Sequence, residues 1–206
     1  MTDAAPKSDF QFVAGRLCLD FANTVDYRNS PQELDQLNTY EDVIAWAEQA
    51  GIVSEADARK MKQAAKNGMR AETALRHALT LREAIYEIVS AAVNREPWPE
   101  MPVHFLNRTL RDAGGQRILA AGKDRFTWKW NAPAGHLESI LWPVAQDAAE
   151  LLTSDELSRV HKCSAEDCGW LFMDRSKNQS RRWCEMKNCG NRDKARRYYE
   201  RVRAAD

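Results

Sequence analysis

Long apolar runs are missing from this 206-residue chain: no uninterrupted stretch exceeds about six residues. A membrane-spanning helix needs ~20, so no membrane partner is expected. The opening residues, MTDAAPKSDF, carry acids early and have no apolar core of the secretory type. The chain is therefore expected in a reducing cytoplasm, where cysteines serve as metal ligands or reactive groups more often than as disulfides. Large aliphatics are also scarce, with Leu, Ile, Val and Phe making up 38 residues. Such poverty signals disorder only beside a high net charge, and here 30 basic side chains balance 30 acidic ones. Glycine and proline total 16, and Val, Ile and Thr total 24, so breakers and β-formers are both few. Twenty-nine alanines and seven tryptophans supply the remaining apolar mass, which predicts a mainly helical fold. No glycine-rich phosphate loop, G-x-S-x-G or H-E-x-x-H is present, so the sequence gives no support to catalysis and the chain is not expected to be an enzyme.

The neutral total is a cancellation. Residues 1–153 hold 17 basic and 21 acidic side chains, whereas residues 154–206 hold 13 and 9. From Gly169 to Arg203 the count is 11 against 4. This asymmetry predicts an α-rich regulatory or ligand-sensing body, 1–153, followed by a basic module, 154–206.

In the body, Thr39 with Asp42 resembles a capping box for a helix running to about Gln49, with Gly51 as its stop. Ser54 with Asp57 repeats the device, and Gly68 is expected to end that second helix. The longest helix is predicted over 70–94, with Leu75, Leu79, Arg82, Tyr86, Val89 and Val93 along one edge, and Leu81, Ile85 and Ile88 beside it. Pro97, Pro99 and Pro102 are expected to break the chain before a helix over 103–113. Arg117–Ala121 and Arg125–Trp130 read as a β-hairpin, with Trp128 and Trp130 packing on the helices. Residues 136–152 return to helix, with Pro143 as a kink or a first-turn proline. Residues 10–28 leave helix and strand open. Within them Asp20, Asn23 and Arg28 could line a polar effector pocket, or cap and pair structurally. Cys18, between two leucines, reads as a small buried apolar residue.

The tail holds two matched C-x4-C-G units, Cys163/Cys168 and Cys184/Cys189. Two ligands from each of two short turns close a tetrahedron, the geometry of a four-cysteine zinc site. With no open position for water, such a zinc is structural, and a segment this small needs a staple to fold. His161 is the substitute ligand. Glycine after each second cysteine is expected to supply a positive-φ turn. Trp170, Leu171, Phe172 and Trp183 are assigned to the module's small core. The loop carrying Arg175, Lys177, Arg181 and Arg182, and a helix from Asn191 carrying Arg192, Lys194, Arg196 and Arg197, could face a nucleic-acid backbone. At helical spacing Arg192, Arg196, Tyr199 and Arg203 share a stripe.

At these residues the sequence resembles a known family. LFMDRS-x-N-x-S-RRWC followed by CGNR-x-KARR is similar to the CGNR zinc finger, over Cys163 to about Arg197. GRLCLDFANTVDYR at 15–28 resembles the domain that precedes this finger, described as belonging to putative stress-induced transcription regulators. The resemblance implies zinc held by Cys163, Cys168, Cys184 and Cys189, DNA binding by the tail, and a mostly helical N-terminal domain. It marks Arg175, Arg181, Arg182, Asn191, Arg192 and Lys194 as the basic signature, with Asn191 and Arg192 divided between DNA contact and support of the metal site. The expected protein is a DNA-binding regulator with one structural zinc and a body that senses a small effector or dimerises. The alternatives are a zinc-stapled ligand-binding or protein-interaction module without nucleic acid, and RNA in place of DNA.

Overall fold

Thr39 opens the first long helix as its chemistry dictates: its hydroxyl accepts from the Asp42 N–H at 3.3 Å while the Asp42 carboxylate accepts from the Thr39 N–H at 2.8 Å. A computed structural model describes residues 10–28 and 30–203. The opening segment 1–9 and the outer ends of the 1–153 and 154–206 units lie outside the described residues. The helices are α1 (Leu17–Ala22), α2 (Tyr40–Gln49), α3 (Glu55–Ala65), α4 (Gly68–Asn94), α5 (Glu100–Gly114), α6 (Leu141–Leu152) and α7 (Asn191–Arg203). Among the described residues, three antiparallel ribbons join them: β1 (Val25–Asp26) with β2 (Leu34–Asp35), β3 (Arg117–Ala121) with β4 (Phe126–Trp130), and β5 (Val160–Lys162) with β6 (Leu171–Met173). The fold is thus mainly α with small hairpins, as the composition predicts. None of the described helices is long and apolar enough to cross a membrane.

Two boundaries differ from expectation, each for a local reason. Gly68 does not end α3; it is the first residue of α4, because the Asn67 side chain caps that helix by accepting from the Arg70 N–H at 3.3 Å. Pro102 does not break the chain but sits in the first turn of α5, where its missing N–H has no intrahelical partner to lose. Pro143 occupies the same position in α6. The ambiguous 10–28 segment resolves into α1 followed by β1.

α4 is the spine. Its buried side runs through Ala74, Ala78, Leu81, Ile85, Ile88 and Val89, which adds two alanines to residues of the expected apolar face. Alanines recur wherever helices meet, with Ala22, Ala47, Ala58, Ala145 and Ala148 all fully buried. Small side chains let axes approach closely, so the core closes around Trp46, Phe21 and Ile44 without many large aliphatics. Arg82, on the predicted apolar edge, is buried and clamps β2 through two 2.7 Å bonds to the Asp35 carboxylate. The β3–β4 ribbon stands outward. Trp130 packs on Trp142 with ring centroids 5.9 Å apart, whereas Trp128 is 58% exposed. Arg117, opposite Trp130 in the register, lies over both rings.

Candidate metal centre and basic surface

The β5–β6 ribbon and the loops after it bring the four tail cysteines together. Cys163 follows β5, Cys168 precedes β6, Cys184 precedes a wide helical turn, Met186–Gly190, and Cys189 lies within that turn, which leads into α7. All four side chains are buried, and their sulfurs lie within 4.8 Å of one another. Cys184 Sγ is 3.6 Å from Cys168 Sγ and 3.5 Å from Cys189 Sγ. Four sulfurs around one zinc at ~2.3 Å would have edges of about 3.8 Å, so the spacing fits a tetrahedron. The Cys184 N–H donates to Cys163 Sγ at 3.4 Å, and Arg192 Nη2 lies 3.5 Å from Cys189 Sγ. The thiols also disturb one another's ionisation. The Cys168 thiol hydrogen-bonded beside it holds Cys163 far below the usual thiol range, and that thiolate in turn pushes Cys168 and Cys184 up. A divalent cation removes this conflict by letting all four carry charge. The donor set is therefore that of one structural zinc. His161 stacks near Phe172 and is not part of the cluster.

Glycine follows both second cysteines for different reasons. Gly169 has φ +73°, and a Cβ there would lie 2.9 Å from the Arg28 Cβ. Gly190 is not in the positive-φ region, contrary to the sequence reading; a Cβ there would meet the Met186 side chain.

The zinc module shares the main core of the body. Side chains alternate along β6, so Leu171 and Met173 join Val160 in the main core while Phe172 turns to the cysteines with Trp170. Leu171 therefore leaves the small core expected for it. Asn23 exchanges two hydrogen bonds with the Leu171 backbone, donating to its carbonyl at 2.8 Å and accepting from its N–H at 2.9 Å. Trp170 Nε1 donates to the Val25 carbonyl at 2.9 Å, and the Tyr86 hydroxyl donates to the Gly169 carbonyl at 2.9 Å.

Asp20, Asn23 and Arg28 are thus each engaged by protein groups, the structural alternative of the sequence reading. Arg28 lies 3.9 Å over the Tyr86 ring, pairs with Glu83 and donates to the Ala22 carbonyl. Asp20 accepts from the Ala14 N–H at 2.9 Å. Burial pushes its carboxyl up to about 6 from an ordinary 3.8, against the hydrogen bonds from Ala14 and Val13. Between those values the folded chain holds a proton that the unfolded chain releases, so this group's contribution to stability falls as pH rises through the window. Asp20→Asn keeps an acceptor and removes the charge. Its stability relative to the parent is expected to improve by about 2–3 kcal/mol between about pH 4 and pH 7.5. Urea unfolding at both pH values checks this, and a pH-independent difference would contradict it.

The basic residues divide into two groups. Arg181 stacks on Phe172 at 4.5 Å and donates to the carbonyls of Trp183 and Cys184, so it braces the second knuckle. Arg192 pairs with Asp167 at 3.0 Å, Arg196 with Glu166 and Asp193, and Arg197 with Asp193. Asn191 donates to the Lys187 carbonyl at 3.0 Å. The predicted stripe through Arg192 and Arg196 is consequently neutralised by acids. Arg175, Lys177, Arg182 and Lys194 are exposed and have no ion-pair partner among the described residues. The sequence reading missed Asp174, which is buried and organises their loop: its carboxylate accepts from the Ser176 N–H at 2.7 Å and the Arg181 N–H at 2.8 Å. The Asp-x-Ser spacing was the available signal. Tyr198, Tyr199 and Val202 of α7 are exposed.

No curated protein matches the chain. Residues 159–202 match the CGNR zinc finger, the segment that carries all four cysteines. Residues 15–155 match the ABATE family, described as a putative stress-induced transcription regulator. That match spans more than half of the sequence, and the chain accordingly belongs to the ABATE family, as a zinc-binding member with a CGNR finger at its C-terminal side.

Proposed function

We propose that this protein is a cytoplasmic DNA-binding transcription regulator without catalytic activity, whose zinc fixes a basic loop and helix for contact with the duplex. The division into a regulatory body, 1–153, and a finger, 154–206, belongs to this reading. The observation that carries it is the set Arg175, Lys177, Arg182 and Lys194, exposed cations without an ion-pair partner among the described residues, around the four-cysteine cluster. Guanidinium and ammonium groups in that position neutralise phosphates, while exposed Tyr198 and Tyr199 offer stacking or apolar contact nearby. Arg181, Asn191, Arg192, Arg196 and Arg197 hold the surface in shape. The body modulates binding by taking up an effector or by forming a homodimer, and a response to stress is the setting the family description suggests.

Fluorescence anisotropy with a mixed-sequence duplex tests this. Lys177→Ala, Arg182→Ala and Lys194→Ala are each expected to weaken binding across sequences and to reduce the salt slope by about one. Variants that bind like the parent would contradict the reading. The exposed Leu119, Phe126 and Trp128 of the β3–β4 ribbon favour a second reading, a protein-interaction module. It predicts no salt-dependent DNA binding by the parent.

A further inference from the structure

A cavity of about 430 Å3 lies between α4, α5, the base of the β3–β4 ribbon and the start of α6. It falls in the size range of small-molecule sites. Its walls combine the Phe105 and Trp142 rings with the His136 imidazole, which packs 5.2 Å from Trp142. The buried His136 Nδ1 has no hydrogen-bond partner among the described residues. Three ionic groups also line it, and they are not equivalent. Glu138 is taken by His77, 2.6 Å from its Nδ1. Arg108 and Asp112 have no ion-pair partner among the described residues, not even each other, although one helical turn separates them on α5. The histidines and acids of this cavity do not converge on a metal; the cysteines are the one such cluster among the described residues.

An open cation and an open anion about one turn apart, beside aromatic walls, call for a ligand that carries both charges and a ring. We propose that this cavity binds a small aromatic zwitterion of the amino-acid type, with its carboxylate on Arg108, its ammonium on Asp112 and its ring against Phe105 and Trp142. A guanidinium and a carboxylate each form charge-assisted hydrogen bonds, which gives the two ends their polarity. α4 carries His77 at the cavity and Tyr86 at the Gly169 carbonyl, so one rigid helix connects ligand and finger.

Isothermal titration calorimetry on the zinc-loaded full chain tests the site without DNA, so its outcome is separable from that of the DNA-binding reading. L-phenylalanine, L-tyrosine and L-tryptophan are the probes; tryptamine and indole-3-propionate each lack one charge. At least one amino acid is expected to bind saturably, with the single-charge indoles weaker than L-tryptophan by about tenfold or more. Arg108→Ala and Asp112→Ala, both at exposed positions, are expected to cost a similar factor while the melting temperature stays unchanged. No saturable heat from any of the three amino acids would overturn the proposal. So would indoles that bind as well as L-tryptophan, or affinities that both variants leave intact.

Discussion

Stripping the zinc, or replacing Cys184 by serine, is expected to unfold the tail and to destabilise the body with it. The tail from Val160 to Arg203 buries few large aliphatics of its own, and its small core is largely the cysteines with Trp170 and Phe172. A structural zinc contributes about 10–16 kcal/mol in zinc-finger peptides, of the order of a whole domain's stability. Without it the four thiols crowd within 4.8 Å and cannot all ionise. The damage spreads because Val160, Leu171 and Met173 belong to the main core. Far-ultraviolet circular dichroism should retain most of the helix of α1 to α6. Tryptophan fluorescence should report the release of Trp170 and Trp183. The melting temperature should fall by at least about 10 °C, given roughly 2–4 °C per kcal/mol in a chain of this size. A chelated protein that melts within about 2 °C of the loaded one would contradict the structural role of the metal.

Asn23→Ala is expected to cost about 2–4 kcal/mol, a large effect for one uncharged polar side chain. The reason is the reciprocal pair it makes with Leu171, both of whose backbone groups become buried and unpartnered in the variant. Asn23→Asp should cost at least as much at neutral pH, since it sets a buried carboxylate oxygen against the Leu171 carbonyl that the Asn23 amide now donates to. Urea unfolding measures the loss, and hydrogen exchange at the Leu171 amide localises it. A cost below about 0.5 kcal/mol, the level of an ordinary surface change, would show that the bridge does not couple finger to body.

How much of this was legible in the sequence depended on how local the cause was. Thr39 and Ser54 act within one turn, so their helices could be read directly. Asn67 carries the same signal, but the glycine beside it fits a helix stop equally well, so this boundary is ambiguous in the sequence. The zinc site was legible for a different reason: metal geometry imposes a spacing that survives without knowledge of the fold. Asp20, Asn23 and Arg28 were legible as polar residues in an apolar segment, but their partners were not. Asn23 meets Leu171 across 148 residues and Arg28 meets Glu83 across 55, distances that no local pattern encodes. The same limit applied to the arginines. Composition counted Arg192 and Arg196 as free charge, whereas Asp167 and Glu166 take them up only once α7 folds back beside the first knuckle; Asp193, on α7 itself, holds Arg196 and Arg197 at helical spacing that the sequence already carries. The cavity beside Arg108 was invisible because four separate segments build it.

The central claim is that zinc presents unpaired cations to DNA. The measurement that tests it most directly is the affinity of the zinc-loaded protein for a duplex as a function of salt, repeated for the Arg175→Ala/Lys177→Ala/Arg182→Ala variant and after chelation. The account predicts a log–log slope for the parent that the triple variant lowers by about three units, and binding that chelation abolishes. Affinity independent of salt, or unchanged by both the triple substitution and the loss of zinc, would contradict it.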